Sequence, residues 1–233
     1  MLATLRADLR VALQRDPAAR SRLEVALLYP GVHAVWGHRI SHWLWRHDLK
    51  LLARSCASLT QWFTGVDIHP GAVLGPGLFI DHATGVVIGQ TAEIGEDVTI
   101  FQGVTLGGTS RDHGKRHPTI GDRVTIGAGA KILGPIVIGA GSRIGANAVV
   151  VKPVPPDSVV VGVPGQVIAR SRPRPASSRS DLDDALLPDL VGTSLRSLLD
   201  RVDRLEVSVD GGPLRHHVRP SDAGVWSGED FSI

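Results

Sequence analysis

The sequence predicts a mainly β fold, a parallel β-helix with helices on its N-terminal side, and two observations carry that prediction. From Ile68 to Val150 an aliphatic residue returns at every sixth position. The positions are Ile68, Leu74, Ile80 and Val86; then Ile88, Ile94, Ile100 and Leu106; then, after an interruption, Ile120, Ile126, Ile132, Ile138, Ile144 and Val150. This period matches neither the roughly 3.6 residues of a helical turn nor the roughly 2 of an ordinary strand, and it suits a short strand and corner repeated around a coil. The second observation is the glycine that follows Ile88, Ile94, Ile120, Ile126, Ile138 and Ile144. Glycine tolerates a tight corner and disfavours a helix. One inward aliphatic side chain per repeat then stacks on its equivalent one coil later, making the core a column of layers. A two-sheet sandwich with glycine-rich turns is the alternative, but its turn spacings are longer and less regular. The hand of the coil does not follow from the repeat.

Residues 1–65 precede the repeat and read as helical. Leu2, Leu5, Leu9 and Leu13 recur at helical spacing, so a first helix is expected over residues 2–14, ended by Asp16-Pro17. A second begins near Ser21 and halts at Pro30-Gly31, a third runs through WGHRISHWLWRH, and a fourth through LKLLARSCASLTQWFTG, closed by Gly65. These helices are expected to pack across the open end of the coil and protect its first edges. His38 and His42 stand at metal-ligand spacing on a helix, yet the tryptophans around them and the want of a third ligand favour plain packing. Cys56 lies in a helical stretch without an activating histidine and reads as a structural thiol.

At 233 residues, 42% apolar, the chain can bury a sizeable core. A formal charge of +2 with no long basic block argues against a nucleic-acid partner. One cysteine excludes an internal disulfide, MLATLRADLR carries charge too early for a signal peptide, and no apolar run is of membrane-spanning length. The expected setting is the cytoplasm, with no membrane partner.

Candidate chemistry lies where polar residues interrupt the repeat. His82 follows Asp67 by fifteen positions, nearly one coil, so adjacent coils can bring the two together. A carboxylate that holds an imidazole fixes its tautomer and stabilises the imidazolium formed when histidine takes a proton. The plainer reading has Asp67 capping a turn and His82 filling a surface corner. Between Val86 and Ile88 the phase slips by two residues, with no function evident from the sequence. A larger interruption, GGTSRDHGKRHPT, leaves the coil at 107 and returns in phase at Ile120. An excursion on a rigid scaffold is a natural binding loop. Gly107 and Gly108 allow close backbone approach, and Arg116 offers a planar fork for a carboxylate.

The stretches DIHPGAVLGPGLFIDHATGVVIGQTAEI at 67–94, TLGGT at 105–109 and KRHPTIGDRVTIGAGAKILGPI at 115–136 resemble the serine O-acetyltransferases of the hexapeptide-repeat acyltransferase superfamily, over roughly residues 15–170. The resemblance implies a left-handed parallel β-helix and transfer of acetyl from acetyl-CoA to the hydroxyl of L-serine in cysteine biosynthesis. It assigns His82 and Asp67 to a catalytic dyad, and Asp16, Asp81, Arg116 and His117 to serine binding. It implies acetyl-CoA in a cleft between neighbouring subunits of a homotrimer, with Gly108, Thr109, Ala128, Gly129 and Ala146 as candidate contacts. Acetyl-CoA is expected as co-substrate, with no cofactor and no metal. Two rivals share the coil: an acyltransferase for a sugar or antibiotic, which has no need of Asp16 and Arg116, and a metal-dependent lyase similar to the gamma carbonic anhydrases, using His82, His113 and His117.

The domain organisation expected is 1–65 helical, 66–170 catalytic β-helix, and 171–233 a helical and flexible extension. Prolines in KPVPPDSVVVGVPGQVIARSRP are expected to end the regular coil beyond Val150. SRPRPASSRS reads as linker, and Leu190, Leu195, Leu198, Leu199, Val202 and Leu205 make an apolar helical stripe. A terminal Ile233 with its free carboxylate implies, by the same resemblance, docking into the active site of O-acetylserine sulfhydrylase.

Overall fold

Each hexapeptide forms a strand of two or three residues and a corner, and three hexapeptides close one coil. The first coil is β1 (Asp67–Ile68), β2 (Val73–Leu74) and β3 (Phe79–Ile80); the second is β4 (Val87–Ile88), β5 (Glu93–Ile94) and β6 (Thr99–Ile100). The third is β7 (Thr105–Gly107), β8 (Thr119–Ile120) and β9 (Thr125–Ile126), and the fourth β10 (Lys131–Leu133), β11 (Val137–Ile138) and β12 (Arg143–Ile144). These observations come from a computed structural model that describes residues 2–170, 197–202 and 204–205.

A fifth coil follows where the prolines were expected to stop it. It comprises β13 (Val149–Val150), a bridge between Val154 and Ile138, and β14 (Ser158–Val161), which pairs in parallel with β12. Pro153, Pro155 and Pro156 flank Val154 at positions that owe the ladder no N–H, while Val154 itself donates to Val137 O at 2.9 Å. β15 (Gln166–Arg170) then turns back and pairs antiparallel with β14.

Three parallel sheets result. We call A the sheet β1-β4-β7-β10-β13, B the sheet of β2, β5, β8 and β11, and C the sheet β3-β6-β9-β12-β14, which β15 extends. Register is kept by identical side chains stacking inward: Ile94 on Ile120 on Ile138 in sheet B, and Ile100 on Ile126 on Ile144 in sheet C. Ile100, Leu106, Ile126, Ile132 and Ile138 are fully buried, each worth about 1.5–3 kcal/mol of transfer free energy. Val86, counted above with the strand positions, belongs instead to a corner column with Val66, Val104, Ala130 and Ala148, each one residue ahead of a sheet A strand.

The corner between sheets C and A explains that slip. It holds four residues in later coils (101–104, 127–130, 145–148) but six in the first (81–86). Its chain reverses through left-handed backbone at Gly85, Gly103, Gly129 and Asn147, with φ of 75°, 69°, 70° and 56°. Glycine, and asparagine after it, bear that conformation with least strain. The A/B corner is lengthened once, in the third coil, to the eleven residues 108–118.

Four helices precede the coil: α1 (Leu2–Arg15), α2 (Arg22–Leu28), α3 (Pro30–Arg46) and α4 (Lys50–Thr64). Ser21 caps α2 by accepting from the Glu24 N–H at 3.1 Å, and Glu24 reaches back to the Arg20 N–H at 3.1 Å. The third helix starts six residues earlier than the sequence motif suggests, because Pro30, before which α2 halts as expected, also serves as the first residue of α3. Gly65 ends α4 in left-handed conformation, as expected. Ala34 and Val35 of α3 join the core with Val66, Ile68 and Ile80, so the α3–α4 hairpin closes the first coil. Arg39 of α3 grips the buried Asp8 of α1 through Nη2 at 3.0 Å and Nε at 3.1 Å. His38 is packed in this region without a partner in hydrogen-bonding geometry on either ring nitrogen, and His42 meets the Pro70 carbonyl at 2.8 Å. Burial lowers the His38 pKa to about 3, with His42 and Arg39 adding to it and the Ala72 backbone opposing.

Pro188–Ile233 is a second unit. Its described helical residues include Leu198, Leu199, Val202 and Leu205, part of the expected stripe, all exposed. Leu190, Leu195 and Ile233 lie outside the described residues.

Candidate active site

The residues singled out by sequence gather at two corners of the coil. At the C/A corner, Asp81 and His82 open the enlarged turn of 81–86, and Asp81 Oδ1 accepts the His82 N–H at 3.0 Å. His82 and Ala83 both have left-handed backbone, φ 55° and 50°, a strained arrangement for side-chain-bearing residues. His82 is exposed. Asp67 starts β1 on its outer face, in register with Val87, and Gly85 donates to Gly65 O at 2.9 Å just before it. Asp67 and His82 therefore flank the same edge on adjacent coils, as the spacing implies, but no hydrogen bond joins them among the described residues.

Asp16 reaches this corner from the helical region. Its Oδ1 accepts the Ala18 N–H at 2.7 Å, closing a turn after α1, and its Oδ2 accepts a short hydrogen bond from the Tyr29 hydroxyl. Burial and the Asp16 carboxylate push the Tyr29 pKa up to about 12. Asp81 is raised as well, mainly by burial and further by Asp16, against the opposing charge of His82. Asp16, Tyr29 and Asp81 thus form an acidic cluster beside His82, matched to an ammonium group. Tyr29 is not singled out by the sequence, because its partner Asp16 lies thirteen residues away across a helix boundary.

The second cluster lies at the A/B corner. The excursion of 108–118 returns over Gly89-Gln90-Thr91 of the coil below. Arg116 Nη2 donates to Gln90 Oε1 at 2.8 Å and Nη1 to Asp112 O at 3.3 Å. Lys115 pairs with Glu93 at 2.9 Å. His117 is buried flat against Gly89, where an added Cβ would fall 1.9 Å from its Cδ2. Its pKa is lowered by burial, then by Arg116 and Lys115. His69, one coil earlier at the same corner, is lowered to about 4 by burial and by Arg54, Arg116 and His117. Cationic and N–H donor groups therefore dominate here, matched to a carboxylate.

Among the described residues, no group of three or more His, Cys, Asp or Glu is placed to hold a metal ion. His82 and His117, ligands in the lyase reading, stand at different corners.

Across its whole length the chain is 65% identical to the serine acetyltransferase of Mycobacterium tuberculosis, also covered in full. The chain belongs to the serine acetyltransferase family. The serine acetyltransferase of Bacillus subtilis is 48% identical over 88% of this chain and 94% of its own. Residues 117–152 match the family described as Bacterial transferase hexapeptide (six repeats). A crystal structure of Neisseria gonorrhoeae serine acetyltransferase in complex with serine is 48% identical, with TM-score 0.70, over 72% of this chain and 69% of that one. The coil is accordingly the left-handed parallel β-helix.

Within this serine acetyltransferase fold, the acetyl-CoA candidates divide between the same two corners. Ala128, Gly129 and Ala146 line the C/A corner two and three coils beyond His82. Gly108 and Thr109 open the loop at the A/B corner, where a Cβ on Gly134 would lie 3.1 Å from Thr109 Oγ1.

Proposed function

We propose that this chain transfers acetyl from acetyl-CoA to the hydroxyl of L-serine, giving O-acetyl-L-serine and CoA for cysteine synthesis. The observation that carries the reading is the enlarged corner of 81–86, which sets a histidine on an exposed, rigid turn beside an acidic cluster that reaches in from another element. His82 takes the hydroxyl proton as the serine oxygen attacks the thioester carbonyl. Asp67, on the same edge, turns to the far ring nitrogen and stabilises the imidazolium. Backbone N–H groups stabilise the tetrahedral oxyanion; the C–S bond then breaks and the imidazolium returns its proton to the thiolate of CoA.

Serine is held at both ends, its ammonium by Asp16 and Asp81 and its carboxylate by Arg116 and His117. Within one chain, sheet A and its two corners separate these groups, five residues from Gly85 to Gln90, on the order of 15 Å at about 3.3 Å per extended residue. A molecule as small as serine cannot bridge that gap. A homotrimer brings the C/A corner of one copy against the A/B corner of the next, a head-to-tail contact that closes after three. Acetyl-CoA then lies along this cleft, against Ala128, Gly129 and Ala146 of one copy and Gly108 and Thr109 of its neighbour. No cofactor or metal is required. The cytoplasm is the proposed setting, in keeping with a solitary cysteine.

The test is CoA release from purified protein with acetyl-CoA and L-serine, L-homoserine, sugar or amine acceptors, with and without chelator. Serine-dependent release insensitive to chelator is the expected result. Release with another acceptor alone, or only in the absence of chelator, would replace it. We further propose that Ile233 docks its carboxylate in the amino-acid site of O-acetylserine sulfhydrylase. Deleting Ile233 is expected to abolish that association and spare acetyl transfer, and unchanged association would refute the docking.

A further inference from the structure

We propose that Thr91 is a positioning residue that locks His117 as a neutral imidazole with its proton on Nε2, so that His117 meets the substrate carboxylate only as a hydrogen-bond donor. The argument is a count of donors and acceptors. Thr91 Oγ1 accepts the backbone N–H of Arg116 at 3.0 Å and that of His117 at 3.1 Å. A hydroxyl oxygen has two lone pairs and one proton. With both lone pairs engaged, its proton points to the remaining neighbour, His117 Nδ1, at 2.9 Å. The Thr91 backbone N–H also points to Nδ1, at 3.2 Å. A backbone N–H only donates, so Nδ1 is an acceptor and carries no proton. The neutral ring therefore holds its proton on Nε2.

Protonating Nδ1 would set a third proton against the two donors already there. Arg116 and Lys115 on the loop face the same ring, and their positive charge opposes the imidazolium as well; His69 on the first coil, its own pKa lowered to about 4, stands beside them as a neutral ring. Gly108 keeps the approach to Nε2 open, since a Cβ there would fall 3.3 Å from it. Gln90 completes the device by holding the Arg116 guanidinium at 2.8 Å. Three consecutive residues, Gly89, Gln90 and Thr91, thus seat, aim and fix the tautomer of the Arg116-His117 pair. A ring held in this way cannot act as a base through Nε2, which leaves proton removal to His82.

This inference rests on the serine reading for the identity of the carboxylate, but its first test does not. In full-length enzyme with 15N-labelled histidine, the His117 signals are assigned by their loss in His117→Asn. They are expected to stay neutral, with the proton on Nε2, to lower pH than an ordinary histidine. Thr91→Val keeps the side chain's shape and removes the hydroxyl; Thr91→Ser keeps the hydroxyl. In the valine variant the ring is expected to titrate at higher pH than in the wild type. The KM for serine rises about tenfold or more, as for one lost orienting hydrogen bond, while the KM for acetyl-CoA stays within about twofold. Serine at this position restores both properties. A wild-type ring that titrates near the ordinary value, or one protonated on Nδ1, overturns the proposal. A folded Thr91→Val enzyme with unaltered ring titration and serine KM also overturns it. If the valine variant does not fold, the wild-type ring and the serine variant decide the matter. Turnover with another acceptor in place of serine would refute the functional reading and leave the ring measurement standing.

Discussion

The fourth and fifth coils and the first two are built from the same hexapeptide but put it to different uses. In the fourth, Ile132, Ile138 and Ile144 point inward, every corner is short, and of the candidates it carries just Ala146, for acetyl-CoA. In the first two, the C/A corner gains two residues, and the returning loop of the third coil settles on Gly89-Gln90-Thr91. Every candidate for serine chemistry borders one of those departures. Regular layers supply rigidity and a wall for acetyl-CoA, and the serine candidates sit where the repeat is broken.

Substitutions can separate the two roles. Ile132→Ala removes a fully buried side chain from a regular layer and is expected to cost about 2–5 kcal/mol of stability, read as a large drop in Tm with turnover kept per folded molecule. Turnover lost while Tm holds would contradict the division of labour. His82→Ala is expected to do the reverse, lowering kcat about 10²-fold or more with Tm unchanged; near-normal turnover would remove His82 from the role of base. Gly89→Ala forces a Cβ into the His117 ring and is expected to raise the KM for serine on the order of tenfold, the scale of a small misplacement. Steady-state kinetics with both substrates varied would show whether acetyl-CoA is spared.

The smallest effect is on pH dependence. His38 is held neutral at about 3, below its unfolded value, so its contribution to stability is fully present above about pH 6.5. That contribution is lost as pH falls from there toward about 3, and His69 adds the same sign down to about 4. His38→Leu is expected to leave stability at pH 7 nearly unchanged and to gain at most about 2 kcal/mol at pH 5. Denaturant melts at the two pH values would decide this, and an equal change at both would point to packing alone.

The period of six made the coil legible, because stacking tolerates almost no drift from it. Even the slip at Val86 marked its place correctly, although Val86 itself was assigned to the wrong column: an aliphatic residue suits both a strand and an inward corner. Pro30 halts the second helix as expected yet also opens the third, and the prolines around Val154 do not end the coil. Pro30 and the prolines around Val154 occupy positions that owe no N–H, and sequence alone does not reveal which N–H groups are owed. The role of Asp16 came through family resemblance, whereas its hold by Tyr29 rests on contact between segments distant in sequence. Thr91 was hidden because a threonine in a β-repeat is ordinary, and only the returning loop makes it special.

The reversal of β15 against β14 has a consequence for growth. A coil that adds layers of its own width resembles a crystal with a screw dislocation, always offering a fresh step to the next unit. Were the fifth coil to end on open parallel strands, it would offer such a step to any other copy. By folding back antiparallel, β15 covers the end of sheet C with a strand of the wrong polarity for another coil. At the opposite end the α3–α4 hairpin occupies the corresponding step.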